Sequence, residues 1–236
     1  GDFDGDRKTE LTIYRPSTGQ WIMARSALNY TSPSIFQWGW NGDVPVAGDY
    51  DGDSRIDPAV FRPSNQTWYA LLSGSGYTQS RILQWGSAGD LPIQGDFDGD
   101  GRIDPTVYRP STGYWFFLRS AAGYSNWGVY QWGVAGDLPV AVDYVGDGIN
   151  HMSVYRPSTG NWFVLRSTSS FTTPHIQQWG VVGDVPMQGD FDGDGKSDFT
   201  VFRPSTGQWF TLASATGAVM VVQWGGGTDI PAPAGY

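Results

Sequence analysis

Cysteine is absent from this sequence, glutamate occurs once, and lysine and histidine twice each. Without cysteine there are no disulfides and no thiolate chemistry, and the redox compartment stays open. The two histidines, His151 and His175, do not recur with the rest of the pattern, and no Ser-His-Asp set stands out. The expectation from these residues is that the chain is not an enzyme. Lysine and arginine total 14 and form no patch that would release counterions from a phosphate backbone, so nucleic acid is not an expected partner. No apolar run is long enough to span a bilayer, and membrane insertion is not expected. No segment keeps a helical period. Nothing at the start resembles a signal peptide, and Gly1 begins inside a motif, so an excised domain is expected.

What the chain does have is glycine (33), proline (15) and 15% aromatics, the composition of a turn-rich β protein. Its 23 acidic residues all lie in two repeated motifs. Four loops hold Asp2, Asp4, Asp6 and Glu10; Asp49, Asp51, Asp53 and Asp57; Asp96, Asp98, Asp100 and Asp104; and Asp190, Asp192, Asp194 and Asp198. A damaged copy keeps Asp143 and Asp147, and a Gly-Asp-Val/Leu-Pro motif accounts for Asp43, Asp90, Asp137 and Asp184, with Asp229 in a Thr-Asp-Ile-Pro variant. The net charge of −9 is therefore concentrated in loops rather than spread over a solvated surface, and four divalent cations would nearly cancel it.

The loops recur every 47 residues. A period of this size marks stacked supersecondary units. Each copy reads as an aspartate loop, a short strand ending at Arg-Pro, a turn of the Pro-Ser-Thr-Gly type, a strand beginning at Trp21, Trp68, Trp115, Trp162 or Trp209, a variable stretch, and a strand ending at Gln-Trp-Gly. A fourth strand, Val44 to Ala47 and its counterparts, leads into the next loop. Proline sets φ and glycine supplies φ > 0 in the tight turn. Four short antiparallel strands in this length make a propeller blade. The expectation is one all-β, five-bladed propeller over 1–236, with repeats 1–47, 48–94, 95–141, 142–188 and 189–236. The segment from Asp229 to Tyr236 matches that from Asp43 to Tyr50, so the first blade is expected to be completed by the C-terminal strand.

In the third loop, Asp96, Asp98, Asp100 and Asp104 stand at positions 1, 3, 5 and 9. Carboxylates so placed, with a backbone carbonyl at position 7, supply the oxygens that a hard cation requires. Position 7 is Lys8, Arg55, Arg102 or Lys196 in the four loops. An EF-hand is excluded because position 12 is Val107 and no helix flanks the loop. Calcium suits an all-protein carboxylate cage better than magnesium, which gives up its water reluctantly. Three to four ions are expected. In the fourth loop Val145 replaces the second ligand and His151 the ninth-position acid, so that site should be empty or weak. The first should be weaker than the rest, since Arg7 and Lys8 lie inside it.

Through G-D-F/Y-D-G-D-G-x-x-D the chain resembles the FG-GAP/VCBS repeat family, whose members include the integrin α-subunit propeller. The resemblance implies calcium in the loop between the first two strands of each blade, and an extracellular role in adhesion, glycan binding or as an appendage of secreted enzymes. The Phe-Gly…Gly-Ala-Pro signature is missing, and five units differ from the seven of integrins.

Arg15, Arg62, Arg109, Arg156 and Arg203 also recur, and with the Gly-Asp aspartates they are expected to form ion pairs or turn caps. The repeated tryptophans are expected to pack the blades. The stretches between second and third strands differ most between copies. They hold Tyr30, Tyr77, Tyr124, Trp127 and Phe171, the candidate ligand-binding residues, because loops on a rigid scaffold are where binding usually resides. The expected function is a secreted or cell-surface binding module for glycans or an extracellular protein. The alternatives are a non-catalytic spacer in a larger secreted protein and, third, a polysaccharide lyase.

Overall fold

The computed structural model describes residues 1–226, and the chain is an all-β, five-bladed β-propeller of antiparallel sheets. The first sheet holds β1 (Leu11–Arg15), β2 (Gln20–Ala24) and β3 (Pro33–Gln37). The next has the order β4 (Val44–Pro45), β5 (Ala59–Arg62), β6 (Thr67–Leu71) and β7 (Ser80–Gln84). The same order recurs in β8 (Leu91–Ile93), β9 (Thr106–Arg109), β10 (Tyr114–Leu118) and β11 (Trp127–Gln131), and in β12 (Leu138–Val142), β13 (His151–Arg156), β14 (Asn161–Leu165) and β15 (Pro174–Gln178). The last sheet comprises β16 (Val185–Met187), β17 (Phe199–Arg203), β18 (Gln208–Leu212) and β19 (Val219–Gln223). Sheet and sequence repeat are thus offset by one strand: among the described residues, the last strand of each of the first four repeats pairs with the first strand of the next.

The first sheet has three strands among the described residues, with β1 at its edge and Leu11 and Ile13 exposed. The C-terminal strand expected to complete it, Asp229 to Tyr236, lies outside the described residues. By compactness the chain divides into two units, Gly1–Tyr108 with Phe116–Val129, and Arg109–Trp115 with Tyr130–Tyr236.

The register follows from the aromatic pattern. In β2, β6, β10 and β14 the residue after the first is a buried tryptophan, and side chains two apart share its face. Its indole N–H donates to the carbonyl of the second tryptophan of its own repeat, as from Trp68 to Trp85 at 3.1 Å and from Trp162 to Trp179 at 2.8 Å. That second indole then donates into the following sheet, from Trp38 to the Tyr69 carbonyl at 3.0 Å and from Trp132 to that of Phe163 at 3.0 Å. The two tryptophan series therefore join strands within a blade and blades to one another. A buried indole requires such a partner, which is why both series recur.

At the Arg-Pro end, the glycine of the tight turn carries φ +69° at Gly19, and a Cβ there would stand 2.0 Å from the Gly39 carbonyl oxygen. Only glycine fits at that approach. The arginines and aspartates also meet as expected. Arg62 donates two bonds to Asp43, both at 2.8 Å, while Asp43 accepts the Trp40 amide at 2.8 Å. Arg156 with Asp137, and Arg203 with Asp184, repeat the arrangement. One carboxylate thus caps the turn entering a blade and fixes the arginine that ends its next strand.

Candidate metal centre: the aspartate loops and their tethers

From the second repeat on, each aspartate loop joins the first two strands of a sheet, the first loop leads into β1, and in each the first aspartate shapes the loop. Asp49 accepts the amide of Gly52 at 2.6 Å on one oxygen and that of Ser54 at 2.7 Å on the other. Asp2, Asp96, Asp143 and Asp190 do the same with their fourth- and sixth-position amides. Both amides sit in residues of positive φ, such as Gly52 (+89°) and Ser54 (+66°). Glycine tolerates that backbone, whereas Ser54 and Arg7 hold it at a local cost of about 1 kcal/mol.

The ninth-position acid does a different job. Asp104 is buried, accepts the Phe97 amide at 2.8 Å on Oδ2, and accepts the Ser120 amide at 2.6 Å on Oδ1. Asp57 holds Tyr50 and Ser73 in the same way, and Asp198 holds Phe191 and Ser214. Glu10 holds Phe3 and Ser26. These four acids, read from sequence as ion ligands, tether the loop to the end of the second strand. Their partner is a serine repeated once per copy: Ser26, Ser73, Ser120, Ser167 and Ser214. Its hydroxyl also donates to the fifth-position aspartate, from Ser73 to Asp53 at 3.0 Å and from Ser120 to Asp100 at 2.8 Å. Sequence reasoning missed this serine, although its 47-residue recurrence was available.

The structure gathers Asp2, Asp4, Asp6 and Glu10; Asp49, Asp51 and Asp53; Asp96, Asp98 and Asp104; and Asp190, Asp192 and Asp194, each group with ligand atoms within 4.8 Å of one another. Asp57, Asp100 and Asp198 fall outside these groups. Asp100 is drawn to Arg102, and Asp53 to Arg55, by close guanidinium contacts. Lys8 and Lys196 lie 3.7 and 3.6 Å from Asp6 and Asp194. The position-7 residues thus direct their side chains at the fifth-position acid. Burial pushes Asp57 and Asp104 up to about 6, against the amides that bind them. Burial also raises Asp49 and Asp96. At Asp53 and Asp100 burial acts upward, but the arginine and serine bonds outweigh it and hold both below the usual range.

Whether these residues fit a cation turns on the third position. Asp98 Oδ1 and Asp4 Oδ2 are buried inside their loops and have no hydrogen-bond partner. A carboxylate oxygen withdrawn from water without a donor is unfavourable, and a cation among the neighbouring carboxylates would satisfy it. The donor set is all oxygen, the preference of a hard ion. The residues fit.

The fourth loop keeps the frame with two carboxylates fewer. Asp143, Asp147 and His151 lie close together, but both ring nitrogens of His151 are engaged. Nδ1 accepts the Tyr144 amide at 3.0 Å, and Nε2 lies 3.0 Å from the Ser167 hydroxyl. The imidazole therefore stands where Asp104 stands in the third loop. The first loop is also joined to the second, the second to the third, and the fourth to the fifth. The Ile56 amide donates to the Asp2 carbonyl, Ile103 to Asp49, and Ser197 to Asp143, each at 2.7 Å.

The candidate ligand-binding aromatics do not share one environment. Tyr77 and Tyr124 are half-buried and donate their hydroxyls to the loop carbonyls of Phe3 (2.9 Å) and Tyr50 (3.0 Å) in the preceding repeat. Phe171 packs against Tyr130 at 5.8 Å. Tyr30 and Trp127 are exposed, and the Tyr30 hydroxyl bonds the Thr9 carbonyl at 3.2 Å.

No protein-family profile and no curated protein matches the chain. Solved structures do. A streptogramin B lyase superposes with TM-score 0.58 at 8% identity over 93% of this chain, which spans 66% of that one. An auxiliary nutrient binding protein from Bacteroides thetaiotaomicron gives 0.60 at 13% identity over 93% of this chain and 55% of that chain. An Agrocybe aegerita lectin that recognises non-reducing terminal N-acetylglucosamine gives 0.55 at 15% identity, with 88% and 58% covered. At these identities the likeness is one of fold. It corrects one expectation: an enzyme shares this architecture, so the want of a catalytic triad does not set the chain among non-enzymes.

Proposed function

We propose that the chain is a calcium-stabilised propeller of the FG-GAP/VCBS type that binds glycans at an extracellular surface. The observation that carries the cation reading is the pair of buried, unpartnered carboxylate oxygens on Asp98 and Asp4, each inside a loop of further aspartates. Asp49, Asp51 and Asp53, with Asp190, Asp192 and Asp194, would hold ions in the same manner. A bound divalent ion supplies charge neutralisation and a rigid link between carboxylates. The chain's own residues do the rest. The first-position aspartate sets the loop, the ninth-position residue and the serine fix it to the second strand, and amide bonds tie the first loop to the second, the second to the third and the fourth to the fifth.

The glycan reading is supported by the shared fold with a lectin and by repetition, since several similar weak sites on one frame gain strength through avidity. Calorimetric titration with calcium tests the first part, with three to four ions expected and no heat above dilution contradicting it. A glycan array probed with calcium present tests the second: no binding to any sugar removes it.

A further inference from the structure

At the Arg-Pro end of the blades, Arg62 and Arg156 hold the same place, each the last residue of its strand. Each is bidentate to an aspartate whose side chain is 1% exposed, Asp43 or Asp137. Each guanidinium lies over the ring of the adjacent strand, Tyr69 at 4.5 Å or Phe163 at 4.3 Å. They differ in what the preceding repeat brings. Above Arg62 lies the indole of Trp40 at 4.0 Å. The residue matching Trp40 two repeats on is Val134, and there a cleft of about 240 Å³ opens between Trp132, Val134, Val154, Phe163 and Arg156. The Arg62 side chain is 13% exposed and that of Arg156 28%, the difference an indole lid would make.

We propose that the cleft at Arg156 is a binding site for an aromatic side chain of a protein partner, tryptophan foremost, stacked on the guanidinium as Trp40 is stacked on Arg62. The chain itself shows the occupant that this frame accepts, and it is an amino-acid side chain. The guanidinium is already fixed by Asp137, so a stacking ring meets a preorganised surface. Asp137 also neutralises its charge, which leaves little to attract an anion, while Val134, Val154 and Phe163 give apolar walls. The space suffices, since a cavity of about 150 Å³ takes benzene. The site lies at the opposite end of the strands from the aspartate loops and does not rest on the cation reading.

The test is a titration of the folded protein with N-acetyl-tryptophanamide, read on the side-chain Nε–H resonances of arginine and the indole N–H of tryptophan. A saturable shift is expected at Arg156 and Trp132 but not at Arg62, where Trp40 occupies the place. The Trp40→Ala variant should gain the response at Arg62. The Val134→Trp variant should weaken that at Arg156 by about tenfold or more, because it supplies its own ring. The proposal is overturned by an unresponsive Arg156, by a Val134→Trp protein that responds like the parent, or by a methyl glycoside that shifts Arg156 where the tryptophan probe does not.

Discussion

Asp104 in the third aspartate loop and His151 in the fourth occupy one position and make one pattern of contacts, the amide of the loop's second residue on one atom and the strand-end serine on the other. Asp98 in the third loop has a buried oxygen without a donor, and the fourth has Val145 in its place. The fourth loop thus has two acids fewer, at its third and ninth positions, while it keeps Asp143, Asp147 and the contacts that tie the hairpin down. The tether therefore persists without an acid at the ninth position, although Asp104 and Glu10 also stand among the clustered carboxylates of the third and first loops.

Four measurements press on that difference. The largest effect is expected from calcium itself. Each site held at ten times its dissociation constant adds about 1.4 kcal/mol, so four add roughly 5 kcal/mol, or about 10–20 °C in melting temperature. Restoring the fourth loop with Val145→Asp and His151→Asp should add one ion to the calorimetric count. If it does not, the third position is not what separates the loops.

Second, Asp104→Ala should cost about 2–5 kcal/mol in urea denaturation even in chelator, because two buried amides lose their acceptor. His151→Ala should cost less, about 1–3 kcal/mol, since one amide and a mobile hydroxyl are affected. Third, acid should separate the two. Burial holds His151 below its ordinary value, so the neutral ring stabilises the fold above about pH 6.5, and that contribution fades as pH falls. Asp57 and Asp104, raised to about 6, act in the opposite direction in calcium-free protein, where their contribution is complete at low pH and lost as pH rises through 6. The destabilisation caused by His151→Gln should therefore shrink between pH 7.5 and 5.5, and a constant difference would place the histidine elsewhere than in a buried tether. The smallest effect is Tyr124→Phe, which loses one bond to the Tyr50 carbonyl, about 1 kcal/mol by thermal melting, with the calcium count unchanged.

The propeller was legible because its cues are local. A strand that ends at Arg-Pro, a turn that needs glycine at φ +69°, and an indole at the second residue of a strand with its face shared by side chains two apart are set by backbone sterics and side-chain size. The loops were half legible. Alternating aspartates announce a cluster, but spacing does not say which oxygens are taken by an amide and which are left without a donor. Asp57 and Asp98 look alike in sequence. Asp57 is spent on Tyr50 and Ser73, and Asp98 keeps an oxygen unmatched. The serine was overlooked because its residue type is common and its acceptor lies 16 positions away, at Asp57 or Asp104. Tyr77 and Tyr124 were read as a surface because their stretches vary between copies, yet each bonds a carbonyl 74 residues back.

By itself, then, the sequence determined the repeat, the strand order within it and the place of every acid, since these depend on neighbours a few residues apart. Only the tertiary structure decided which acids are tethers and which remain open to a cation, and that the place filled by Trp40 in one repeat is a cleft in another. Both depend on which distant amide or ring folding brings within about 3 to 4 Å, a distance at which hydrogen bonding and stacking act and which no spacing along the chain encodes.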